Sequence, residues 1–107
     1  MRAYAHPNLE DVSIEHLLHA LSDPVRMDIV RRLAREGEAS CAALDGGRPK
    51  SSMSHHFRVL RHAGLVRTRI VGVQHMNALR REEIDRRFPG LLAAVLAAAE
   101  GAPVQAT

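Results

Sequence analysis

The sequence predicts a mostly helical α+β domain with one small β-hairpin, in the order α-α-α-α-β-β-α. Three observations predict it. Apolar residues recur at helical spacing through most of residues 14–100, and the period changes to alternation only over residues 66–79. The apolar material is aliphatic: 46% of residues are hydrophobic, yet there are two Phe, one Tyr and no Trp. At 107 residues the chain has the size of a single domain, 1–107, with its own core.

After an extension over residues 1–12, Ile14, Leu17, Leu18 and Leu21 form one helix face, with Ser13 as its N-cap. Asp23 and Pro24 then begin a second helix through Val25, Ile29, Val30 and Leu33, which stops at Gly37. Ser40 caps a short third helix over "CAAL", broken by "DGGRP". The fourth helix carries Met53, Phe57 (or His56) and Leu60 inward and ends at Gly64. On the hairpin, Val66, Thr68 and Ile70 alternate with Arg67 and Arg69, Gly72 supplies the turn, and Gln74 to Leu79 return. Helix resumes at Arg81, favoured by Glu82 and Glu83 near its start; Pro89 and Gly90 interrupt it, and "LLAAVLAAAE" continues it.

A net charge of +3 conceals an uneven distribution. Residues 1–47 carry eight acids against five bases, residues 48–81 carry eight bases and no acid, and residues 82–107 carry four acids against two bases. A cationic block between acidic flanks is the footprint of a surface that meets a polyanion. Other classes find no support. No apolar run is long enough to span a bilayer, the first thirteen residues lack the apolar middle of a secretory signal, and the lone Cys41 forms no internal disulfide, so a cytoplasmic location is expected. Nucleophile motifs, glycine-rich phosphate loops and metal-hydrolase spacings are missing, so no enzyme and no cofactor is expected.

A short helix joined by a tight turn to a helix with a polar, basic outer side is a helix-turn-helix, here over residues 40–64, whose second helix enters a DNA major groove. The hairpin, residues 65–79, becomes a wing. Ser51, Ser54, His55, Arg58 and His62 lie opposite the apolar face of the fourth helix, and Lys50, Ser52 and Arg61 share that helix. Serine is small and both donates and accepts, while arginine pairs bidentately with guanine. On the hairpin, Arg67 and Arg69 point to one side, where they could grip the DNA backbone or the minor groove.

"HALSDPVRMDIVRRL", "SCAAL" and "SSMSHHFRVLRHAGLV" with the following hairpin resemble the ArsR/SmtB family of winged helix-turn-helix repressors, over residues 14–96. The resemblance implies a homodimer that binds a palindromic operator on double-stranded DNA and releases it when an inducer binds. It places Ser51, Ser52, Ser54, His55 and Arg58 on the recognition helix, Arg67 and Arg69 on the wing, and the first and last helices, the latter over residues 81–100, in the dimer interface. Leu91, Leu92, Val95, Leu96 and Ala99 make an apolar stripe that fits such a role. The chain departs from the family at an uncharged hairpin tip, Ile70 to Val73, and at both well-known metal sites: the third helix has only Cys41, and the last has no histidine.

Two alternatives stay open: a nickel- or zinc-responsive regulator using His6, His16 and His19, and a winged-helix module that binds protein. The cationic block argues against the second. His56 and Cys41 read as structural side chains, and Arg26, Arg31, Arg32 and Arg35 as a solvated face paired in part with Asp28 and Glu36.

Overall fold

Side chains that the sequence supplies set the helix starts. In a computed structural model that describes residues 3–101, Ser13 Oγ accepts from the His16 N–H and begins α1 (Ile14–Leu21). Asp23 Oδ2 accepts from the Val25 and Arg26 N–H groups and, with Pro24 first, begins α2 (Pro24–Glu36). Ser40 Oγ does the same for Ala43 at the head of α3 (Cys41–Leu44), and α4 (Lys50–His62) follows. Strands β2 (Val66–Val71) and β3 (Gln74–Leu79) pair antiparallel through a two-residue turn. Only its first residue, Gly72, has a positive φ, 61°, as a type II′ hairpin turn requires.

The α+β winged helix-turn-helix expectation holds, with three additions. Glu38–Ser40 forms a strand, β1, that pairs antiparallel with β3, so the sheet has three strands in the order β1-β3-β2. Three residues are too few to display an alternation, so no sequence period announces β1. The closing segment is two helices, α5 (Arg81–Arg87) and α6 (Leu91–Gly101), and a 3-10 turn, Leu9–Asp11, capped by Asn8, precedes α1.

Leu17 and Leu21, Ile29 and Leu33, Leu44, Met53, Phe57 and Leu60, Val66, Ile84 and Leu92 share one core. Half of the α1 apolar face stays outside it, with Ile14 and Leu18 about 40% exposed. On α6, Leu92 is buried and Leu91, Val95 and Leu96 pack partly on the core, while Ala93, Ala94, Ala97 and Ala98 are exposed. Much of the apolar stripe on the last helix is therefore used within the chain.

Buried polar groups tie the strands together. Thr68 Oγ1 donates to Asn77 Oδ1 at 2.7 Å, and Asn77 Nδ2 donates to Ala39 O at 3.3 Å and to Cys41 Sγ at 3.3 Å, so one amide links all three strands and α3. Arg26 corrects the solvated-face reading of α2. It is only 7% exposed; its Nε donates to Ala20 O at 2.7 Å, Nη2 to His19 O at 3.5 Å, and Nη1 lies 3.2 Å from His56 Nδ1. The break after α1 leaves carbonyls with no helical partner, and Arg26 supplies donors to them.

The N-terminal extension is docked. Leu9 and Val12 are buried, the Arg87 guanidinium donates to both of their carbonyls, and Arg80 Nη1 donates to Pro7 O at 2.7 Å. Arg80 also holds Glu83 through two hydrogen bonds, at 2.9 and 3.1 Å. Those bonds first, then the one from Arg67, hold the Glu83 carboxyl down to about 2 from 4.5. A depressed folded pKa gives stability that is present above the unfolded value and is lost as pH falls towards the folded one. Acid titration of the unfolding free energy should therefore show wild type losing more stability from about pH 5 to pH 2 than Glu83→Gln. Coincident curves would refute the assignment.

Candidate nucleic-acid interface

The turn between α3 and α4 is built by Asp45. Its Oδ1 accepts from the Gly47 N–H at 2.9 Å and its carbonyl from the Arg48 N–H at 3.0 Å, and Gly46 and Gly47 take φ values of 59° and 81°. This chain reversal sets α4 against the core through Met53, Phe57 and Leu60, all at most 3% exposed. Ser51, Ser52, His55, Arg58 and His62 are consequently exposed. Lys50, Ser54 and Arg61 stand about a quarter-turn around the helix from the Ser51, His55 and Arg58 side.

The eight bases of residues 48–81 divide into two groups. Arg67 Nη2 lies 3.2 Å from Glu83 Oε1, Arg69 binds Glu38 through two hydrogen bonds of 2.9 Å, Arg80 holds Glu83, and Arg81 Nε lies 3.3 Å from Asp85 Oδ2. Their acids lie outside the cationic block in sequence and are brought to it by β1 and α5. Arg48, Lys50, Arg58 and Arg61 make no ion pair among the described residues. The carboxylate-free positive charge is thus on α4 and its approach, which a count along the chain could not distinguish.

Arg67 and Arg69 project from the exposed side of β2, opposite the buried Val66 and Thr68. Arg69 reaches Glu38 diagonally across the middle strand, where Ala78 pairs with both Glu38 and Arg67. Both wing arginines are thus held by carboxylates, and exposed pairs of this kind contribute only about 0–1 kcal/mol. Lys50 and Ser54 meet a different part of the wing. With Val73, Gln74 and His75 they line an open cleft of about 350 Å³, of which Arg67 and Arg69 are not part. The uncharged tip is exposed, with Val73 at 96%.

Tyr4 also lines that cleft, and nothing in the sequence pattern singled it out. Its hydroxyl is 2.6 Å from His75 Nδ1, and its ring lies under the Arg61 guanidinium at 4.1 Å. His6 Nε2 accepts from the Thr68 N–H at 3.0 Å on the edge strand, so that nitrogen is occupied. Burial, and then the charges of Arg67, Arg80 and Arg61, push His6 below the usual histidine range. His16 and His19 are exposed on α1. Among the described residues no three His, Cys, Asp or Glu side chains converge as a metal site would require. His56 is held down mainly by burial beside Arg26, despite Asp23 at 3.8 Å, and Cys41 is half-buried. No helix among the described residues is long and apolar enough to cross a membrane.

A family model described as a helix-turn-helix domain matches residues 21–69, from the end of α1 to the middle of β2. No curated protein matches the sequence. The transcriptional repressor BigR from Xylella fastidiosa is 32% identical, with a TM-score of 0.58 over 69% of this chain and 78% of its own. An ArsR family transcriptional regulator of known structure is 26% identical, with a TM-score of 0.63 over 81% and 91%. A homodimeric winged helix-turn-helix DNA-binding domain from Mycobacterium bovis, 23% identical, shares the fold with a TM-score of 0.65 over 88% and 87%. The chain belongs to the ArsR/SmtB family of winged helix-turn-helix transcriptional regulators.

Proposed function

We propose that the protein is a homodimeric, non-enzymatic, cytoplasmic repressor that reads a palindromic operator on double-stranded DNA through α4 and leaves it when an inducer binds. The observation that carries this reading is the exposed side of α4. Ser51, Ser52, Ser54, His55 and Arg58 are free to meet base edges, and Arg48, Lys50, Arg58 and Arg61 have no carboxylate partner among the described residues. Arg67 and Arg69 belong to the interface in this proposal as reserve phosphate contacts, recruited by breaking their pairs with Glu83 and Glu38. Repression is supported by the similarity to BigR, a transcriptional repressor, and dimerisation by the homodimeric state of the M. bovis neighbour together with the exposed Ile14 and Leu18 of α1.

Four unpaired cations in each of two subunits give about eight phosphate contacts before any wing pair is broken, so the log–log dependence of affinity on salt should have a slope of about −7, steeper as Arg67 and Arg69 are recruited. The test is the affinity of the purified protein for DNA from its own promoter, against scrambled DNA, over a salt series and with nickel, zinc or a chelator. Selective, metal-indifferent binding with that slope is the expected result. Metal-dependent binding would restore the histidine reading, and equal binding to both duplexes would favour the protein-binding alternative.

A further inference from the structure

The N-terminal strap is fixed at four points, on α4, β3, β2 and the link that follows β3. Arg61 of α4 covers the Tyr4 ring, His75 of β3 meets the Tyr4 hydroxyl, the Thr68 N–H of β2 donates to His6, and Arg80 holds Pro7. A segment outside the regular elements holds its place only through such contacts, and four of them on one short stretch fix where Tyr4 and His6 sit. What it completes is the cleft between α4 and the wing.

That cleft is floored by apolar side chains, Met53, Phe57 and Val73 among them, and three polar side chains able to donate stand around it. Lys50 contributes an ammonium without a carboxylate partner among the described residues, Ser54 a hydroxyl and Gln74 an amide. The Tyr4 hydroxyl and His75 Nδ1 are 2.6 Å apart, and the tautomer in which the hydroxyl donates leaves the ring proton, a second donor, on Nε2. Asp45 is the one acid in the lining, and its Oδ1 already accepts from the Gly47 N–H. Several donors around one open space fit an oxyanion. The Lys50 and Ser54 flank is also where a backbone strand would run if the Ser51, His55 and Arg58 side entered the adjoining groove.

We propose that this cleft seats one phosphodiester of the bound DNA, and that Tyr4 and His75 form its far wall. The inference rests on α4 being the element that enters DNA. Tyr4 is a positioning residue, acting through His75, so the strap is part of the DNA-binding apparatus.

The test uses the full chain, the operator duplex and the scrambled duplex, over a salt series. His75→Ala should weaken binding to both duplexes by the same factor, about fivefold per subunit. Lys50→Ala should do likewise and make the salt slope shallower by about 1 per subunit. Tyr4→Phe keeps the ring under Arg61 and removes the hydroxyl. It should cost a few-fold in the wild-type background and nothing beside His75→Ala, with the melting temperature unchanged. Finally, operators carrying single uncharged methylphosphonates should include one position, symmetric in the two half-sites, that weakens wild type and leaves His75→Ala indifferent. If Arg58→Ala weakens binding while His75→Ala and Tyr4→Phe bind both duplexes like wild type, the phosphate seat is wrong and the α4 reading stands. If Arg58→Ala also has no effect, the α4 reading itself fails. A Tyr4→Phe loss that persists undiminished beside His75→Ala would overturn the role assigned to Tyr4.

Discussion

Arg58→Ala should weaken operator binding by roughly 30-fold or more, the largest loss of any single change on the exposed side of α4. Arg58 is exposed near the middle of α4 and has no carboxylate partner among the described residues, so no intramolecular pair has to be broken before it binds. An arginine contact to a base edge or phosphate is worth about 1–3 kcal/mol, and a dimer loses it in both half-sites. Titration of labelled operator and scrambled duplexes separates its two possible partners. A loss confined to the operator assigns a base contact, and an equal loss on both assigns a phosphate. Ser54 and His55 replacements should instead change which sequence is preferred. Wild-type affinity of Arg58→Ala for both duplexes would remove α4 from the interface.

The start and inward side of α4 are legible in the sequence for a physical reason. Met53, Phe57 and Leu60 fix its inward side by helical period, and the caps at Ser13, Asp23 and Ser40 are local chemistry, visible within four residues. The tight turn at Gly72 is equally legible, because a positive φ suits glycine at little cost, and its type II′ geometry is what the structure adds. Such signals involve neighbours in the chain, and neighbours are what a sequence displays.

Pairings over long separations were not legible. Residues 48–81 contain no acid, yet half of their bases are paired, with Glu38 approaching Arg69 from 31 positions away and Glu83 approaching Arg67 from 16. The strand that carries Glu38 was itself hidden by its shortness. Tyr4 and His75 are 71 positions apart, and neither belongs to a periodic pattern. A charge count along the chain therefore gave the wing arginines the same standing as Lys50 and Arg58, from which the fold separates them by pairing the former with carboxylates.

The arginines of α2 make the same point about stability. Arg26, Arg31, Arg32 and Arg35 look alike in sequence, and replacing Arg26 with methionine should destabilise the protein by about 2–4 kcal/mol while Arg35→Met changes it by about 0–1. The Arg35 side chain is 55% exposed and its one ion pair among the described residues is with Glu100, at 3.7 Å, a contact that water and salt screen. Arg26 is buried, and its guanidinium answers the carbonyls of His19 and Ala20 at the end of α1 while meeting His56 on α4. Methionine would fill much of the volume and supply no donor, so the Ala20 carbonyl and the His56 imidazole would lose a partner inside the fold, while the His19 carbonyl keeps the Ser22 N–H and hydroxyl. For a domain of this size that corresponds to a fall in melting temperature of roughly 10–25 °C, measured at one fixed protein concentration because assembly also shifts the midpoint. Arg26→Lys should fall between the two, since one ammonium cannot span the positions that the planar guanidinium joins. Equal melting temperatures for Arg26→Met and Arg35→Met would show that the α1–α2–α4 junction is held by apolar packing alone, with the buried guanidinium contributing nothing beyond its methylenes.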